Sequence, residues 1–136
     1  MPATCVAQGD FTAQSAALST TTIFTTVQPG VYRLSWTAKK TTADGATSTL
    51  GALTVVHTHT DNTSMSISAP FFISAGTLAT SNATDSATVT GACFGVPITM
   101  NCKAGTIITL AMAYASGTPG NMIYDLHWKL EKWDVN

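Results

Sequence analysis

Residues 122–133 read MIYDLHWKLEKW, and their alternation decides the fold. Met122, Tyr124, Leu126, Trp128 and Leu130 fall on one side of an extended chain, while Ile123, Asp125, His127, Lys129 and Glu131 fall on the other. Side chains on a strand alternate with a period of two, so this stretch predicts a strand with a core face and a mainly polar face. No window of the chain keeps an apolar i, i+3, i+4, i+7 face, whereas period two recurs along it.

Working outward, residues 103–114 read KAGTIITLAMAY. Ile108, Leu110, Met112 and Tyr114 alternate with Ile107, Thr109, Ala111 and Ala113, giving a strand with one large and one small face. The connection SGTPGN contains Pro119-Gly120, which suits a type II turn. Residues 107–115 and 122–133 are therefore expected to pair antiparallel. Upstream, VQPGVYRLSWTAKK places a turn at Pro29-Gly30 and then Tyr32, Leu34, Trp36 and Ala38 against Arg33, Ser35 and Thr37. LSTTTIFTTV reads as the strand entering that turn, and LGALTVVHTHT as a strand with Leu53 and Val55 in phase with His57 and His59. SMSISAPFFISAG predicts one or two short strands broken at Pro70. SATVTGACFGVPITMNC predicts another, with a bulge or edge at Gly95 and Pro97. Residues 78–88, small and polar, are expected as a loop. The result is an all-β, single-domain jelly roll or β-sandwich of about eight antiparallel strands. Residues 1–15 show no periodicity and are expected as a flexible or exchanging N-terminal arm, leaving 16–136 as the jelly-roll domain.

Composition narrows the function classes. Only 10% of the 136 residues are charged and the net charge is -1, against roughly 25% charged in an average soluble domain. That leaves no basic patch of the size nucleic-acid or anionic-membrane binding requires. No apolar run approaches the roughly 20 residues of a membrane-spanning helix, and MPATCVAQGD lacks the features of a secretory signal. Threonine makes up nearly a fifth of the chain, with Ala, Ser and Gly also abundant; these residues favour close sheet packing. A surface so poor in charge points to an oligomer or larger assembly. Cys5, Cys93 and Cys102 are odd in number and widely spread, which predicts buried thiols and not a disulfide framework.

Three stretches together carry a resemblance: Pro29, Gly30 and Tyr32; Lys103, Ala104, Gly105, Thr106 and Ile108; and Tyr124, Leu126, Leu130 and Glu131. The chain over about residues 20–133 resembles the small jelly-roll proteins of tailed-phage virions, which serve as decoration proteins and as fibre or tail-tip modules. Their plan is similar to the trimeric C1q/TNF-like jelly roll. The resemblance implies a homotrimer around a three-fold axis and brings no catalytic residues. It makes the Ala111/Ala113 face a candidate trimer surface, with Tyr32, Trp36, Tyr114, Tyr124 and Trp128 as core or inter-protomer packing. A chain of this length opening on its own Met1 without a rod is expected to be a capsid decoration (cement) protein. It would be made in the host cytoplasm, reside in the virion and bind the major capsid protein or another virion protein. A receptor- or glycan-binding module of a tail fibre or tip is the alternative, with Trp133 as an aromatic available for sugar stacking. A non-viral C1q/TNF-like binding domain is a third reading.

Residues 55–61, VVHTHTD, raise the one question of metal chemistry. His57 and His59 share a strand face, so they are expected at the rim of the core, hydrogen-bonded to backbone or hydroxyls. Two sharper readings compete: six imidazoles from three chains around an axis, or a single-chain zinc site adding His127 or Asp61. The default expectation is no metal and no cofactor. There is one glutamate, no G-x-S-x-G and no Gly-rich phosphate loop, so no enzyme is expected.

Overall fold

The computed structural model describes residues 3–44, 48–69, 71–72, 78–79, 82–84 and 91–133. Among these, the chain forms β1 (Ala3–Gln14), β2 (Leu18–Thr25), β3 (Gly30–Thr42), β4 (Ser48–Thr58), β5 (Ser64–Ala69) and β6 (Phe71–Phe72). There follow β7 (Leu78–Ala79), β8 (Asn82–Thr84), β9 (Gly91–Gly95), β10 (Ile98–Cys102), β11 (Ile107–Ser116) and β12 (Ile123–Trp133). The strands build two antiparallel sheets that form a sandwich. One runs β1-β12-β3-β9-β6-β7, with β10 also on β3; the other runs β2-β11-β4-β5, with β8 also on β4. The stretch 78–88, expected as a loop, instead contributes β7 and β8, which pair with β6 and β4; its residues 80–81 and 85–88, like Pro70, lie outside the described residues.

The 122–133 alternation holds. Met122, Tyr124, Leu126 and Leu130 are fully buried, and they meet Tyr32, Leu34 and Ala38 from the neighbouring strand β3. The second sheet closes the core from the other side with Leu53, Val55, Ile108, Leu110 and Met112. The expected pairing of 107–115 with 122–133 does not occur. Strand β11 lies between β2 and β4, whereas β12 lies between β1 and β3 in the opposite sheet. The connection between them crosses from one layer to the other. It contains the expected turn, with Asn121 N–H donating to Thr118 O at 3.0 Å and Gly120 at φ 90°. The Tyr114 hydroxyl donates to Met122 O at 2.7 Å, and the Tyr114 and Tyr124 rings sit 5.9 Å apart across the layers. Alternation fixes a strand's face but not its neighbour, which is why sequence misassigned the pairing.

Residues 3–14, expected as an arm, form the edge strand β1 along β12. Two register shifts, at Cys5/Ala7 and Phe11/Gln14, interrupt its alternation and hid the strand from a period-two reading. The expected irregularity at Gly95 and Pro97 is present: β9 pairs with Thr37–Lys40 of β3, β10 pairs with Gly30–Leu34, and Val96-Pro97 joins them. Proline has no N–H to give the ladder there.

Trp36 and Trp128 face each other across the two central strands. Trp128 lies over Gly9 on one flank, and Trp36 lies over Gly95 on the other. A Cβ at Gly95 would fall inside the Trp36 indole. Gly95→Ala should therefore destabilise the fold by about 1–3 kcal/mol, measured as a lower urea midpoint. Replacing Trp36 with Leu in the same variant should recover part of that loss, and purely additive losses would mean the contact is not the cause.

Candidate functional site

Charge is divided between the two sheets. Among the described residues, every Asp, Glu, Lys and Arg that lies in a strand belongs to β1, β3 or β12 of the larger sheet: Asp10, Arg33, Lys39, Lys40, Asp125, Lys129, Glu131 and Lys132. The five strands of the other sheet contain none.

The outer face of the larger sheet holds a groove of about 530 Å³ lined by Val31, Arg33, Pro97, Thr99 and Trp133. Register explains the assembly. Val31 is opposite Trp133 on one side and Asn101 on the other, and Arg33 is opposite Glu131 and Thr99. Glu131 is engaged by Lys129 Nζ at 2.8 Å. The Arg33 guanidinium instead lies over the Trp133 indole, 5.9 Å from its ring centroid, and has no carboxylate partner among the described residues. Trp133 is 37% exposed. Farther along this face His127 Nδ1 lies 2.6 Å from Asp10 Oδ1, and Asp125 accepts from the Ala13 N–H at 2.7 Å. These contacts tie the edge strand β1 to β12.

The outer face of the smaller sheet is different. Ile107, Thr109, Ala111 and Ala113 of β11 stand beside Thr54 and Val56 of β4, which stand beside Ser66 and Ser68 of β5. Ala111 is half-buried and Ala113 exposed, as a small outer face predicts. The other residues singled out from sequence turn inward or lie at the rim of the core. Tyr32, Trp36 and Tyr124 are buried, while Tyr114 and Trp128 are half-buried against them. The Tyr32 and Tyr124 hydroxyls donate to Gln28 O and Ala16 O, both at 2.9 Å, so each core tyrosine also anchors a connection.

The VVHTHTD corner separates its two histidines. His57 is buried, with Nδ1 lacking a hydrogen-bond partner among the described residues. His59 is half-exposed, 3.2 Å from Asp61 Oδ1. The Thr63 hydroxyl, and after it the Thr63 N–H that bonds Asp61 Oδ1 at 2.9 Å, hold the Asp61 carboxyl below its ordinary range, with His59 adding to the shift. The His57 ring is buried toward the core, and His127 lies on the other sheet's outer face. Among the described residues no group of three His, Cys, Asp or Glu forms a metal-ligating cluster. KAGT, by contrast, has a structural role. Thr26 Oγ1 donates to Lys103 O at 2.6 Å and accepts from Thr106 N–H at 3.0 Å, while Thr106 Oγ1 accepts from Thr58 N–H at 2.9 Å. This knot closes one end of the sandwich.

Sequence reasoning noted Trp133 and missed Arg33, the chain's one arginine. Its outward phase was legible, but its meeting with Thr99 and Pro97 depends on strand order. Compared with the models of known protein families and with curated proteins, the chain matches none.

Burial lowers the His57 pKa, and His59 beside it adds to the effect. The unfolded chain therefore takes up this proton first as pH falls. Stability is complete above the ordinary histidine value of 6.5 and is lost as pH drops through the lowered one. The urea midpoint should fall more between about pH 7 and about pH 5 in the wild type than in His57→Gln; equal slopes would remove His57 as the cause. Burial likewise pushes the Cys102 thiol up to about 11, whereas Cys5 is exposed. Iodoacetamide at about pH 8 should label Cys5 and spare Cys102 until the protein unfolds, as read by peptide mass spectrometry. The side chain of Cys93 lies outside those described.

Proposed function

We propose that this protein is a structural subunit of a tailed-phage particle, a capsid decoration protein that assembles as a trimer through the outer face of its five-stranded sheet. The observation that carries the trimer is the absence of charge from all five strands of that sheet. Covering a surface of Ala, Thr, Ser and Val strands no ion, and short side chains let two sheets approach closely. The strands β2, β11, β4 and β5, spaced about 4.8 Å apart and rising about 3.3 Å per residue, present roughly 500–600 Å². A standard interface takes about 800 Å² from each partner, so the contact must extend beyond the sheet. Val27 and Ile107, 83% and 53% exposed, supply apolar surface at one end of it.

The virion setting follows from the resemblance carried by PGVY, KAGTII and YDLHWKLE. Bracing a shell requires buried area and not chemistry. The edge strand β1 pairs only with β12 among the described residues, and its free edge offers backbone groups that a capsid chain can extend. A second reading, a glycan-binding tail module, draws on Trp133 and Arg33 in their groove.

Native mass spectrometry should show a species at three times 14.1 kDa. Ala111→Glu, and separately Thr54→Lys, should convert it to monomer with unchanged strand content by circular dichroism. A monomeric wild type, or a trimer indifferent to both charges, would overturn this assembly.

A further inference from the structure

We propose that the groove formed by β12, β3 and β10 binds a carboxylate-bearing saccharide, such as a uronic-acid residue of an acidic glycan. The proposal rests on reading this face as a sugar-binding surface and adds the ligand's charge. It does not depend on the trimer.

The cation comes first. Arg33 has Glu131 directly across the strand pair, yet Glu131 is bound by Lys129 at 2.8 Å. The guanidinium is instead laid over Trp133. A guanidinium beside an aromatic ring and not spent on a carboxylate keeps its donors available, and its planar fork matches a carboxylate through two parallel hydrogen bonds. A net positive group among apolar walls favours an anion of that geometry.

The walls then select what carries the carboxylate. Val31, Pro97 and the indole of Trp133 present apolar surface against which the C–H groups of a pyranose can pack. Thr99, exposed beside Arg33 in register, offers a hydroxyl that both donates and accepts. A free inorganic anion would use Arg33 and leave these walls idle. The volume of about 530 Å³ falls within the roughly 300–1,000 Å³ common to small-molecule sites.

The test titrates the full chain with a glucuronate-containing tetrasaccharide and with the same saccharide after reduction of its carboxyls to alcohols. Tryptophan fluorescence and amide chemical shifts report binding. The acid form should bind about tenfold tighter or better, the worth of one charged hydrogen bond. Arg33→Ala should erase that preference, Arg33→Lys should restore only part of it, and Trp133→Ala should abolish binding of both forms. Lys39→Ala, on the same face and outside the groove, should change neither. Equal affinity for both forms, still lost in Trp133→Ala, would keep a sugar site and overturn its acid specificity. No binding of either form would overturn both the proposal and the sugar-binding reading. A loss in Lys39→Ala equal to that in Arg33→Ala would reduce the effect to diffuse attraction and overturn the site.

Discussion

The rest of the molecule depends on the pairing of β12 with β3. Their ladder runs through eleven residue pairs, from Ile123 opposite Thr42 to Trp133 opposite Val31. It sets Leu126 beside Ala38, Trp128 beside Trp36 and Leu130 beside Leu34 on the inner face. Complete burial of one such leucine contributes about 1.5–3 kcal/mol, and a one-residue slip would turn the whole set outward. Exposed ion pairs on the outer face add little by comparison. The register is therefore held from the inside, and the outer residues occupy the positions that register assigns to them. Arg33 meets Trp133 because Leu34 meets Leu130.

The two indoles at the middle of this ladder also determine what flanks it. Each spreads sideways over a neighbouring strand, and each finds a glycine there, Gly9 on β1 and Gly95 on β9. The strand carrying Gly95 then breaks at Val96-Pro97 before resuming as β10. Pro97 is thus part of both stories: it ends one run of pairing on β3 and forms a wall of the outer groove. Core packing and surface shape are coupled through this one irregular connection.

Much of this was legible in sequence, and what was not has a physical reason. Strands with unbroken alternation, such as 30–42 and 122–133, could be read with their faces correctly assigned. So could the Pro119-Gly120 turn and the irregularity at Pro97, because proline and glycine constrain the backbone locally. The edge strand β1 escaped because its bulges break the period. The partners of β11 escaped because nothing in its own alternation says which sheet it joins. The groove escaped for a related reason, since Arg33, Thr99 and Trp133 come from three strands that only the sheet order brings together. His57 shows the converse case. Its core-facing phase was readable, but the orphaned Nδ1 depends on what surrounds it.

The division of charge gives the two outer faces different capacities. A face with Asp10, Arg33, Lys39, Asp125, Lys129 and Glu131 resists being covered by a second copy, since each ion would need a partner or a place in water. It can instead hold a small charged ligand, whose few polar groups are matched one at a time. A face of Thr, Ala, Ser and Val has no such obstacle to complete burial and little with which to orient a small ligand. Because the faces lie on opposite sides of one core, assembly through the smaller sheet leaves the groove of the larger sheet facing outward. Three copies around an axis would then display three grooves away from their contacts. A bracing subunit and a glycan-binding one are for that reason compatible uses of this sandwich, separable by substitutions that never share a strand.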